Sequence, residues 1–170
     1  MKKNSVLQNG DKIIRILEIK DEKLFIMDCS RLTVPKWADE TEVDGGTEIT
    51  ESEFQNLTHV LLPDMDSLDK KSTSIMNERF TVIAEILPCV TDFRSRNQMM
   101  QQAANDYGIS KQTVKNYLCL YLAYQTKAVL APKPCLSDST LNQDEKNMRW
   151  ALNKYFYSLE KNSLRTAYPR

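Results

Sequence analysis

Glycine, histidine and long apolar runs are scarce in this 170-residue chain, and each scarcity excludes a class of chemistry. Its four glycines form no phosphate-cradling loop, and no nucleophile motif accompanies them. The single histidine, His59, stands between Thr58 and Val60 with no cysteine near it, so it reads as a structural residue and not as a metal ligand or general base. Cys29, Cys89, Cys119 and Cys135 are far apart, which fits neither a zinc knuckle nor a disulfide scaffold and leaves reduced, buried thiols. Met1-Lys2-Lys3 is not followed by the apolar stretch of a signal peptide, and the longest apolar run, Leu118 to Tyr124, is far too short to span a bilayer. A soluble cytoplasmic protein without membrane partners is expected.

A hydrophobic content of 41% is enough for a packed core, in one ordinary domain or two small ones. Net charge is zero, but its distribution is uneven. Residues 1 to 66 hold 8 Lys/Arg against 14 Asp/Glu, whereas residues 67 to 170 hold 15 against 9, so the second half is where a polyanion would bind. Between Lys36 and Lys70 lie ten acidic residues and no basic one, among them Asp39, Glu40, Glu42, Asp44, Glu48, Glu51 and Glu53. Such a run reads as a solvated acidic loop or as a contact surface for a basic protein.

From Lys12 to Met27 two β-branched, apolar runs flank Asp21-Glu22, the pattern of a β-hairpin. Val34-Pro35 breaks any continuation, Asp44-Gly45-Gly46 signals a turn, and Thr50 with Glu53 has capping-box spacing before a short helix. Further along, Phe80, Ile83, Ala84 and Leu87 follow the helical template up to Pro88. Ser95 with Gln98 predicts the cap of a second helix, in which Met100, Ala103, Ala104 and Tyr107 repeat that template until Gly108. Ser110 caps a third, carrying Val114, Tyr117, Leu118 and Tyr121. A last helix opens at Asn142 or Asp144 and places Met148, Leu152, Tyr155 and Leu159 on one face. Asn162-Ser163 resembles another cap, yet the chain stops at Arg170, so the sequence reads as a piece of something longer.

The predicted class is α+β: a mixed module over 1–63 containing the hairpin, a connector over 64–76, a mainly helical domain over 77–126, a linker over 127–141, and a helical segment over 142–170. Asp64, Asp66 and Asp69 lie in the connector, where a solvated linker is a better reading than a carboxylate metal cluster.

Tyr107-Gly108-Ile109 joins two helices by a sharp turn, Ala104 permits their close approach, and Ile109, Val114 and Tyr117 fill the space between them. This is the helix-turn-helix pattern. With the third helix in the major groove, Ser110, Lys111, Gln112, Thr113, Lys115 and Asn116 reach double-stranded DNA. Gln112 and Asn116 match adenine, while Lys111 and Lys115 suit guanine or phosphate. Arg94 and Arg96, before the second helix, are candidates for a backbone phosphate held at that helix's N-terminus. The alternative is an ordinary three-helix bundle with solvated lysines. Residues 91 to 136 carry 6 basic and 2 acidic side chains, which favours DNA. Whether the N-terminal module touches DNA through Lys2, Lys3, Arg15 and Arg31, or contacts another protein, stays open at this point.

Several phrases add a family resemblance. They are Asn9-Gly10 before the hairpin, Asp28-Cys29, Val34-Pro35-Lys36-Trp37, Ser110-Lys111-Gln112-Thr113-Val114, Tyr117-Leu118, Leu130-Ala131-Pro132, and the stretch from Asp144 to Tyr157. The chain resembles the N-terminal region of TnsB-like transposases, DDE-type subunits of a multi-protein transposition machinery. That resemblance implies a bacterial, nucleoid-associated protein that binds transposon end repeats, with other transposition proteins as partners and with the helical segment over 142–170 as the start of a second DNA-binding module. It also implies a catalytic RNase H-like domain whose three carboxylates bind divalent metal. No residue here matches that domain, so no catalytic role and no cofactor is expected of this chain. A helix-turn-helix transcription regulator and a protein-interaction module are the competing readings.

Overall fold

The computed structural model describes residues 2–60, 62–132 and 143–152. Two compact units divide the chain, Met1–Pro132 and Lys133–Arg170. The class is α+β, with an antiparallel sheet followed by helices.

The sheet contains β1 (Val6–Asn9), β2 (Lys12–Lys20), β3 (Lys23–Asp28), β4 (Lys36–Asp39) and β5 (Thr47–Ile49), in the order β4-β3-β2-β1-β5. The expected hairpin is β2 and β3, with Lys20 opposite Lys23 across a two-residue turn. Asp21 and Glu22 there have φ of 48° and 63°, the paired left-handed conformation that matches strand twist. A register shift between Ile16 and Glu18 bends β2, which pairs with β1 on one side and β3 on the other.

Both faces of the sheet are covered. Leu7, Ile14, Ile16, Leu24, Ile26, Ala38 and Val43 form one cluster. Val6, Ile13, Leu17, Phe25 and Met27 join the core that includes the helices. Strands buried on both sides need no polar alternation, which explains the unbroken run Ile13-Ile14-Arg15-Ile16-Leu17. Arg15 is fully buried within that run. Its guanidinium donates to both Glu51 carboxylate oxygens, at 2.6 and 2.7 Å, and to the Asn4 carbonyl at 3.1 Å, and it lies over the Phe54 ring. Burial therefore removes Arg15 from the residues that could touch DNA.

The acidic segment is folded and not a loop: β4, a 3-10 turn at Glu40–Glu42 and β5 run through it, anchored by buried Ala38 and Val43. Gly45 turns the chain at φ 77°, as Asp44-Gly45-Gly46 predicts. Helix α1 (Glu51–Thr58) begins with the expected capping box, Thr50 and Glu53 bonding reciprocally. His59 ends it with a left-handed φ of 52°.

Helix α2 (Lys70–Ala84) starts inside the expected connector, capped by Asp69, whose carboxylate accepts from the Ser72 amide. Lys70 to Ser74 is polar and carries no apolar template, so the pattern becomes visible only from Met76 onward. Leu87 falls in a 3-10 turn at Leu87–Cys89 and not in the helix. Helix α3 (Phe93–Asp106) is capped by Asp92 instead of Ser95, the Ser95 amide donating to Asp92 Oδ2 at 2.8 Å. Helix α4 (Lys111–Tyr124) is capped by Ser110 as expected.

No separate cores underlie the boundary expected at residue 63. Phe54 meets Tyr124 with ring centroids 5.0 Å apart, Trp37 Nε1 donates to the Thr91 carbonyl at 3.2 Å, and Arg96 lies over Phe25. One core therefore joins the sheet to α1–α4. It extends past residue 126 as well: in the 3-10 turn Lys127–Leu130, Ala128 and Leu130 are buried, and Arg79 donates to the Leu130 carbonyl at 2.9 Å.

In the second unit the described helix is α5 (Gln143–Ala151), which carries Lys146, Met148 and Arg149 from the expected segment. The cap at Asn142, most of the linker, Cys135, Tyr155, Leu159 and Asn162-Ser163 lie outside the described residues. Among the described residues no helix is long and apolar enough to cross a membrane.

Candidate nucleic-acid interface

Gly108 decides how α3 meets α4. At φ 63° it donates to the Asn105 carbonyl (3.3 Å), and the next amide, Ile109, donates to the Ala104 carbonyl (3.0 Å). These two bonds are the Schellman closure of a helix C-terminus. Buried Ala103 and Ala104 supply small side chains where the helices approach, and Val114 and Leu118 fill the angle with no exposure. Helix α2 packs against both helices, with Phe80 edge-on to Tyr121 at 5.2 Å and Arg79 over the Tyr117 ring. The apolar side of α4 is thereby used up in the core, and its polar N-terminal turn faces solvent.

On that turn Ser110, Lys111, Gln112 and Asn116 are exposed, while Thr113 and Lys115 are half-buried. Ser110 and Thr113 serve the helix end: the Ser110 hydroxyl accepts from the Thr113 amide (3.1 Å) and lies 2.8 Å from the Thr113 hydroxyl. Gln112 Nε2 donates to Asn116 Oδ1 at 2.8 Å. Lys111 and two amides are thus brought together on one exposed face with half-buried Lys115 beside them, a set able to neutralise phosphate and to bond base edges.

The expectation for the arginines divides. Arg94 is exposed at the start of α3. Arg96 is only 3% exposed, donates to the Val90 carbonyl at 2.6 Å, and is held between the Phe25 and Phe93 rings. It cannot reach a phosphate. Desolvation lowers its pKa, and its buried Nε has no hydrogen-bond partner. The Asp92 carboxylate accepts from the Ser95 amide and so sets a negative charge at the start of α3, where the anion was expected. The sequence signal for Arg96 was ambiguous because an i, i+4 step to Met100 places it on the buried face of α3.

Periodicity also missed two exposed aromatic rings: Phe93, 68% exposed beside Arg94, and Tyr107, 50% exposed in the turn itself. Tyr107 follows the apolar template in sequence, but the helix ends beneath it.

A cavity of about 710 Å³ lies at the sheet, away from this face, and mixes Lys12, Arg31 and Lys36 with Asp11, Asp28 and Glu42. Lys36 already pairs with Glu42 at 2.5 Å. Among the described residues no three His, Cys, Asp or Glu side chains gather as metal ligands. No protein-family model matches the chain, and no curated protein matches it.

Proposed function

We propose that this chain binds double-stranded DNA in a sequence-specific manner, with the N-terminal turn of α4 in the major groove. One observation carries the reading: the glycine-closed turn packs the apolar side of α4 inward and leaves Lys111, Gln112 and Asn116 exposed together. Lys111, Lys115 and Arg94 serve phosphates and set register, and the amides serve bases. Ser110 supports this as the cap that accepts from the Thr113 amide, holding the helix end in shape. The sequence phrases add that the DNA is a transposon end, recognised in the cytoplasm at the nucleoid by the N-terminal part of a TnsB-like transposase. On this reading the chain recognises DNA and leaves strand transfer to another domain.

Electrophoretic retention of short duplexes by the chain, measured across salt concentrations, tests the reading. Retention that weakens with salt, with a slope that becomes shallower by about 1 when Lys111 is changed to Ala, is the expected result. Absence of salt-dependent retention at low ionic strength overturns it and favours the protein-interaction reading, for which the exposed acidic residues Asp39, Glu40, Asp44 and Glu48 are the natural surface. Retention of end-repeat duplexes no tighter than of scrambled ones removes the transposon assignment and keeps DNA binding.

A further inference from the structure

The two exposed amides of α4 are one turn apart and bonded to each other, so they do not act as independent readers. Resting on the DNA-binding reading above, we infer that Asn116 reads adenine and that Gln112 is a positioning residue that fixes which edge of the Asn116 amide meets the base. The Gln112 Nε2 to Asn116 Oδ1 bond, at 2.8 Å between two exposed side chains, is the juxtaposition that carries it.

An asparagine amide has two nearly isosteric orientations, related by a half-turn of its last torsion, and they present donor and acceptor in opposite order. With Gln112 donating through Nε2, the Asn116 amide is turned so that Oδ1 points back toward Gln112. That bond uses one lone pair of Oδ1. The other lone pair and the Nδ2 hydrogens remain, an adjacent acceptor and donor that complement N6–H and N7 of adenine in the major groove. The reversed orientation would set donor against donor. Lys111 precedes Gln112 and Lys115 precedes Asn116, and the two supply charge without choosing between bases. Helix α3 carries an equivalent amide pair, Gln101 to Asn105 at 3.3 Å, off the reading helix, and this pair is an internal control.

The experiment is selection from a random duplex library by the full 170-residue chain, with sequencing of the retained DNA and circular dichroism to verify each variant's fold. Wild type should enrich a motif with one adenine position assigned to Asn116, and Asn116→Ala should erase that position. Gln112→Lys keeps a donor facing Oδ1 and should keep the adenine. Gln112→Glu offers only acceptors, turns the amide over, and should deplete adenine at that position alone by about tenfold. Gln101→Ala should leave the motif intact. Adenine retained by Gln112→Glu, or lost in Gln112→Lys, overturns the positioning role and leaves DNA binding standing. Retention of duplex with no enriched sequence overturns this inference and leaves only sequence-independent DNA binding, whereas retention of no duplex at all overturns the DNA reading as well.

Discussion

Arg94 and Arg96 are two residues apart, yet one faces water and the other lies between aromatic rings, so their substitutions separate binding from folding. Arg94→Ala should make the salt dependence of DNA retention shallower by about 1 and barely change the urea midpoint. Arg96→Met should keep the slope and shift the midpoint instead. The reverse pattern would show that Arg96 leaves its buried seat on binding. A second asymmetry concerns Arg15, whose side chain is 1% exposed while that of its partner Glu51 is 54% exposed. Glu51→Ala strands a buried guanidinium and should cost about 2–3 kcal/mol, below the ~3–5 of a fully buried pair because water reaches the carboxylate. Arg15→Met leaves a carboxylate that water solvates, so its cost should be smaller. Urea unfolding of the two variants settles the order. Among the thiols, burial pushes Cys29 up to about 12 and Cys119 to about 11, while Cys89 is half-buried, which accounts for two of the inert cysteines expected from sequence.

At the scale of elements, helix ends control the candidate interface. Nothing lies within 4 Å of a Cβ built on Gly108, so Gly108→Ala meets no clash and should cost only the left-handed backbone, about 1–2 kcal/mol. A larger loss of DNA retention than of stability in that variant would show that the angle between α3 and α4 has changed. The caps carry a pH signature. Hydrogen bonds from Ser72 hold the Asp69 carboxyl below its ordinary 3.8, those from Ser95 do the same for Asp92, and the backbone amide and hydroxyl of Thr50 lower Glu53 from 4.5. Each is depressed in the folded state, so its contribution is complete above the ordinary value and lost as pH falls through the folded one. Urea midpoints followed from about pH 6 to 2 should fall less steeply in an Asp69→Asn, Asp92→Asn, Glu53→Gln variant than in wild type. An equal fall would assign the acid sensitivity to other groups.

Elements with a local signature were legible in sequence: the hairpin from its two β-branched runs, α1 from its capping box, and the α3–α4 turn from Gly108. β1, β4 and β5 were not, because strands of four, four and three residues give too little periodicity, and β4 and β5 sit inside an acidic run that reads as loop. The cap of α3 was misread because Asp92 to Ser95 and Ser95 to Gln98 have the same spacing, and only the backbone geometry distinguishes them. In the candidate interface, the exposure of Lys111, Gln112 and Asn116 followed from the apolar stripe opposite them. The burial of Arg96 depended on a sheet 71 residues away in sequence, at Phe25, which no local pattern encodes.

For the unit Met1–Pro132 as a whole, the joined core predicts one cooperative transition. In a Trp150→Phe variant the remaining tryptophan, Trp37, reports on the sheet through its contacts with Phe25 and Thr91, and far-ultraviolet dichroism reports mainly on the helices. The two probes should give coincident urea curves. Separate midpoints would restore two independently folding modules.

The outermost strands bear on behaviour at high concentration. β4 and β5 are the two borders of the sheet, four and three residues long, and they carry Lys36, Asp39 and Glu48 in exposed positions, with Pro35 just before β4. A neighbouring molecule seeking to extend the sheet finds short templates studded with charge, one of them preceded by a residue lacking an amide hydrogen. The charges on these two borders thus guard a markedly apolar sheet against strand-by-strand association.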